Sequence, residues 1–298
     1  MNEQIRSIFI VGLLLPGAAG ADSRPVRAQA PPSKTEARAK AMAPRAGEAR
    51  TDAKDGLKYV WIPAGSFKMG CVPGDSECDD DEKPRHLVTL SRGYWLGQTL
   101  VTVAAYKRFA SATGRAMAAA PSFNANWSRE DHPIVNVTWD GAVAYCEWSG
   151  GRLPTEAEWE HAARGGREGL KYPWGDTLTH ERANYGKEDF EGLPQCCGLA
   201  SGRDQWVHTS PVGSFDANAY GLYDMVGNAW AWCSDRGSTS AELLRDPSGA
   251  SKDSSRVMRG GSWADGPRIL RVSVRGRNAG RAEYFGFRCA QDIPAGDR

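Results

Sequence analysis

The chain has 298 residues, 41% of them apolar and 24% charged, an ordinary globular composition with enough length for one large domain and a substantial core. Thirty-seven basic residues against 36 acidic ones leave a net charge of +1, which argues against nucleic acid or an anionic membrane as the main partner. Eleven Trp and 34 Gly point to many turns and aromatic-filled packing rather than long helices.

Residues 1–21 read as a secretory signal: Arg6, a short apolar run from Ile8 to Leu15, and the small-x-small site Ala19-Gly20-Ala21. The run is shorter than the ~20 residues that span a bilayer, so the mature protein is expected to have no membrane span. Residues 22–56, rich in Ala, Pro, Lys and Arg, lack the large apolar residues needed to offset chain entropy and read as a disordered linker. The folded domain is expected over 57–293.

Within it, Lys58 to Met69 reads as strand–turn–strand around Pro63-Ala64-Gly65, and His86 to Leu100 as an extended pair around Gly93. Thr102 to Ala112 and Asp140 to Ser149 carry helical apolar stripes. Thr155-Glu156-Ala157-Glu158 is a capping box, and Gly165-Gly166 stops the helix it opens. Beyond Gly169, turn residues dominate. The fold class is therefore α+β with little regular secondary structure.

Seven cysteines (71, 78, 146, 196, 197, 233 and 289) in an exported chain imply disulfides, and their odd number leaves at least one thiol over. Cys71 and Cys78 flank the acidic turn Pro73 to Glu77 and could bridge locally. No zinc spacing, phosphate-binding loop or nucleophile elbow occurs, and no two of the five His lie three or four residues apart.

Five segments together resemble the formylglycine-generating enzyme (sulfatase-modifying factor) family. They are Trp61-Ile62-Pro63-Ala64-Gly65 with Met69-Gly70; His132-Pro133 to Trp139; Ala144-Tyr145-Cys146 with Arg152 to Glu160; Tyr220 to Asn228; and Arg259-Gly260-Gly261-Ser262-Trp263 ending in Gly286-Phe287-Arg288-Cys289. The resemblance implies a compact fold related to C-type lectins. It also implies an oxidation of a substrate cysteine to formylglycine by O2 and copper(I), the metal held on two thiolates. The positions of those thiolates carry Asp265 and Leu270 here, so the chain resembles a thiolate-free member.

The resemblance further implies a Cys146–Cys289 disulfide. The second family disulfide falls on Ala163 and Arg275, with both partners lost. Structural calcium is implied at Asn184 and Asp204 by side chain and Tyr185 and Trp206 by carbonyl, with mixed oxygen donors of the kind Ca2+ accepts. A weaker second site is implied at Asp224, Gly227 and Ala229, where the expected carboxylate is replaced by Ala231. The candidate pocket comprises Trp230, Ser262, Trp263, Asp265, Arg268 and Arg271. Asp265 could act as a base or stand as a loop carboxylate. Arg275, Arg277 and Arg281 could bind an anion or form a solvated face.

Three functions follow from the resemblance. One is an exported, periplasmic or secreted oxidoreductase with altered chemistry and an unassigned redox metal, as in the thiolate-free members placed late in pyoverdine siderophore synthesis. The second is a non-catalytic module binding a protein, peptide or glycan. The third is formylglycine generation on sulfatases.

Overall fold

The computed structural model describes residues 44–187, 198–237, 245–248 and 254–293. The expected signal segment, Cys196 and Cys197 lie outside the described residues. The folded chain begins earlier than the composition suggested. Strand β1 (Ala49–Thr51) pairs antiparallel with β2 (Lys58–Ile62). Asp55, buried between them, accepts from the Tyr59 hydroxyl at 2.8 Å and from the Leu57 amide at 2.8 Å. Residues 44–56 are therefore part of the domain, because hydrogen bonds to one buried carboxylate and a strand partner replace the apolar residues that the stretch lacks.

The expected strand–turn–strand units exist, but their strands part company. β2 and β5 (Tyr94–Gly97) form a four-stranded sheet in the order β1-β2-β5-β10, the last being Ala290–Gln291. β3 (Gly65–Met69) and β4 (His86–Leu90) pair with each other instead. A third sheet, in the order β8-β7-β6-β9, contains β6 (Trp230–Arg236), β7 (Arg256–Arg259), β8 (Arg275–Asn278) and β9 (Phe285–Phe287). Its β6–β9 pair is parallel.

Three helices lie where periodicity places them: α1 (Val103–Thr113), α2 (Trp139–Trp148) and α3 (Glu156–Arg164). Each begins on a threonine whose hydroxyl accepts a free amide, from Ala105 at Thr102, Gly141 at Thr138 and Glu158 at Thr155. At α3, Glu158 also reaches back to the Thr155 amide at 2.8 Å, completing the capping box.

With so much irregular backbone, carbonyl groups must find donors inside the protein. Two fully buried arginines supply them. Arg288 donates to the carbonyls of Gly97, Gln98, Tyr223 and Asp224, and Arg259 to those of Ser273 and Val274. Arg259 and Arg164 also hold Glu160, which is 1% exposed and accepts from the Gly70 amide. Burial pushes the Glu160 pKa up, but the two guanidinium charges outweigh it and leave the net shift downward.

Disulfides join Cys71 to Cys78 and Cys146 to Cys289. Cys233 keeps a buried thiol. Among the described residues, no helix is long and apolar enough to cross a membrane.

Candidate functional site

The Arg259-Gly260-Gly261-Ser262 turn runs out of β7 into the site. Gly260 and Gly261 have φ of 97° and 68°, the left-handed region that favours glycine. A Cβ on Gly260 would lie 2.8 Å from the Met225 carbonyl oxygen, so the tight turn delivering Ser262 depends on its absence.

Beyond the turn, Asp265 organises the neighbourhood. Its Oδ2 accepts from the Ser262 hydroxyl at 2.6 Å, the Ser262 amide at 2.9 Å and the Trp230 indole N–H at 2.9 Å. The residue is 7% exposed, and burial raises its pKa against the lowering effect of these three bonds. Burial, then the nearby Asp265 charge, pushes the Tyr284 phenol up. Trp263 is 2% exposed and packs edge-on against Phe123 and His208, whose rings stack on each other at 4.4 Å. Burial, then Arg129, lowers the His208 pKa and favours the neutral imidazole.

Of the six pocket residues, the structure therefore joins Trp230, Ser262 and Asp265 by hydrogen bonds, with Trp263 in the adjoining aromatic cluster. Arg268 and Arg271 do not join that hydrogen-bonded group and are bonded elsewhere. Arg271 is fully buried and donates to Asp75 at 3.0 Å, to both oxygens of Glu82 and to the Glu77 carbonyl. Arg268 pairs with Asp79. Both arginines bind the acidic segment from Asp75 to Glu82, whose carboxylates neutralise their charge.

Arg275 is likewise bound to Glu156, and Arg277 to Asp81 at 3.1 Å. Neither is a free anion site, while Arg281 is exposed.

Of the two residues that the resemblance sets at the thiolate positions, the Asp265 carboxyl is anchored as above, and Leu270 is 0% exposed against Gly261. The Cys233 thiol is no substitute, since burial holds its pKa well above the usual thiol range.

Of the loop residues predicted for calcium, Asp204 is joined to the Tyr185 and Trp206 amides. Asp204 is 0% exposed. Its Oδ1 accepts from the Trp206 amide, and its Oδ2 accepts from the Tyr185 amide at 3.3 Å. Burial raises its pKa, opposed by hydrogen bonds from His180 and the two amides. Asn184 is 1% exposed. Its Nδ2 donates to the His208 carbonyl, while its Oδ1 has no hydrogen-bond partner. A buried oxygen without a donor, on the residue before Tyr185, and the buried Asp204 carboxylate that accepts from the Tyr185 amide are oxygen donors of the kind a hard cation takes. The sequence reading missed His180, whose Nδ1 lies 3.1 Å from Asp204 Oδ2; the two are 24 residues apart and no local spacing links them.

The second predicted set fits less well. The Asp224 carboxylate accepts from the Gly213 amide at 2.8 Å, and Ala231 is buried in β6 where a carboxylate was wanted. The loops are joined behind the site, with the Gly186 amide donating to the Asp265 carbonyl and the Asn228 amide to that of Asn184.

The sulfatase-modifying factor enzyme 1-like domain pattern matches residues 45–293. The chain belongs to the sulfatase-modifying factor family. It is 34% identical to a formylglycine-generating enzyme of Streptomyces coelicolor over 290 residues, covering 78% of this chain and 88% of that protein. It is also 39% identical over 168 residues to the inactive C-alpha-formylglycine-generating enzyme 2 of Bos taurus, covering 54% of this chain and 50% of that one. Among solved structures, PvdO from Pseudomonas aeruginosa aligns with a TM-score of 0.68 and 26% identity, over 84% of this chain and all of that one. The family fold accounts for the three helices and the irregular remainder. The sulfatase-modifying factor domain begins at residue 45, in agreement with the early start of β1.

Proposed function

We propose that this chain is an exported sulfatase-modifying factor family protein that acts as an oxidoreductase by a route other than thiolate–copper cysteine oxidation. Asp265 is its proton-handling group. The observation that carries this reading is the buried Asp265 carboxyl, at the position the resemblance gives to the first thiolate, fixed by Ser262 and Trp230 and shifted upward by burial. A carboxyl raised toward neutrality takes up or releases a proton more evenly at working pH than an ordinary one. The three donors hold Oδ2 in place, and the residue's burial limits the water around it. Copper(I) does not fit: it favours soft thiolates, and neither Asp265 nor Leu270 supplies one.

Export is supported by the signal-like residues 1–21 and by two disulfides, which persist in oxidising compartments. A structural cation fits Asn184 and Asp204, with the Tyr185 and Trp206 carbonyls as further donors. Calcium is the ion the resemblance implies for that oxygen set.

The test has two parts: elemental analysis of the mature chain purified without chelator, and oxygen uptake over a small-molecule extract by wild type and D265N. Uptake by the wild type that D265N abolishes supports the reading. Equal uptake by both, or none by either, overturns it.

A second reading, a non-catalytic binding module, draws on the near-complete burial of Ser262, Trp263 and Trp230 and on the likeness to the inactive bovine relative. Saturable binding of a peptide or glycan without turnover would select it.

A further inference from the structure

The Cys71–Cys78 and Cys146–Cys289 disulfides differ in setting. Cys146 and Cys289 are 0% and 1% exposed, whereas Cys71 is only half-buried and Cys78 is buried. A cation stands against the buried sulfur: Arg271 Nη1 donates toward Cys78 Sγ at 3.3 Å. A guanidinium beside a sulfur favours its thiolate and so its departure as a leaving group. The other charges here are Asp75 and Glu82, which accept from Arg271, and Lys171, which pairs with Asp75 at 3.1 Å and with the exposed Glu77 at 3.2 Å. The two buried carboxylates are thus matched by two cations, and they leave no excess negative charge to oppose a thiolate at Cys78. The loop is also held without its S–S bond. The Cys71 amide donates to the Glu82 carbonyl at 2.9 Å, the Cys78 carbonyl accepts from Lys83 Nζ at 2.9 Å, and the Glu77 carbonyl accepts from Arg271 Nη2 at 2.9 Å. Opening the bond therefore leaves both cysteines placed to close it again.

We propose that the Cys71–Cys78 disulfide is a thiol–disulfide exchange site for low-molecular-weight thiols, with Cys71 the sulfur attacked and Cys78, beside Arg271, the sulfur that leaves. The thiolate of a small thiol attacks Cys71 Sγ, the Cys71–Cys78 bond breaks, a mixed disulfide forms on Cys71, and the electron pair passes to Cys78 Sγ. A second small thiolate attacks the small-thiol sulfur of that mixed disulfide and releases Cys71. Two small thiols have then become one small disulfide, and the protein has gained two electrons and, with the protons of those thiols, a Cys71–Cys78 dithiol. A small disulfide runs the sequence backwards. Cys146–Cys289 takes no part, because both of its residues are closed to solvent. The site lies on the acidic segment that Arg271 and Lys171 hold, and it does not depend on the Asp265 reading.

The test exposes native full-length protein to reduced glutathione, quenches with iodoacetamide at timed intervals and maps each cysteine by tandem mass spectrometry, for wild type and R271Q. Expected in wild type are opening of Cys71–Cys78 at least a hundredfold faster than Cys146–Cys289, glutathione on Cys71 with the alkyl group on Cys78 at the earliest times, unchanged circular dichroism after opening, and closure on adding oxidised glutathione. R271Q should open at least tenfold more slowly. The site of the first glutathione in wild type decides the matter even if R271Q fails to fold. Glutathione first on Cys78, the two disulfides opening together, loss of the native spectrum on opening, or an equal or faster rate in a folded R271Q would overturn the proposal. No oxygen uptake is read, so failure here is distinct from failure of the Asp265 reading.

Discussion

Lowering the pH should destabilise this protein through one identifiable residue. His161 lies on α3, 5% exposed, between the rings of Phe67 and Tyr220. Its Nδ1 has no partner, and burial pushes its pKa down to about 4 from 6.5. The depressed value means that the unfolded chain binds the proton first. The stability that neutral His161 contributes is present above pH 6.5 and is lost as pH falls toward 4. With one pKa unit worth 1.36 kcal/mol, the shift amounts to about 2 kcal/mol by pH 5 and about 3 kcal/mol by pH 4. Urea unfolding of wild type and H161L between pH 7 and pH 4 isolates this contribution, since other titrating groups are common to both. The wild type should lose about 2 kcal/mol more than H161L on going to pH 5. Parallel loss in the two proteins would refute the assignment.

Three further outcomes follow from the same physical reasoning. The Asp265 carboxyl has a raised pKa, so its contribution is favourable at low pH and is lost as pH rises through the folded value; D265N should melt higher than wild type at pH 8, with the gap closing at pH 4 in thermal scans. E160Q leaves the Arg164 and Arg259 charges short of their buried partner and should cost about 3–5 kcal/mol in denaturant unfolding. Replacing Cys146 and Cys289 together by serine opens the long loop that their bond closes and should cost about 4–5 kcal/mol, visible as a lower unfolding midpoint.

What the sequence made legible was local. The capping box at Thr155 and Glu158, the threonine starts of α1 and α2 and the glycine stop at Gly165 act within a few residues, so spacing alone reveals them. The five motifs located the domain and the Ser262–Asp265 turn. The misplaced residues are those whose partners lie far along the chain. Arg271 is satisfied by carboxylates at Asp75 and Glu82, separated from it by 196 and 189 positions, and nothing near Arg271 announces them. Arg275 binds Glu156 across 119 positions. Asp55 fixes the β1–β2 connection through the Tyr59 and Tyr145 hydroxyls and the Leu57 amide rather than apolar contacts, which is why composition alone does not reveal the start of the domain. At the positions where the resemblance expects thiolates, residue type is legible without a structure, since Asp265 and Leu270 cannot supply sulfur wherever they lie.

The central claim, that this family member does not run thiolate–copper cysteine oxidation, is tested most directly on a Cys-x-Pro-x-Arg peptide. The peptide is incubated aerobically with copper(I) and the purified chain, beside the Streptomyces coelicolor formylglycine-generating enzyme, and its mass and free thiol are followed. The account predicts an unchanged peptide with this protein and an aldehyde with the relative. Aldehyde formation by this protein would contradict it.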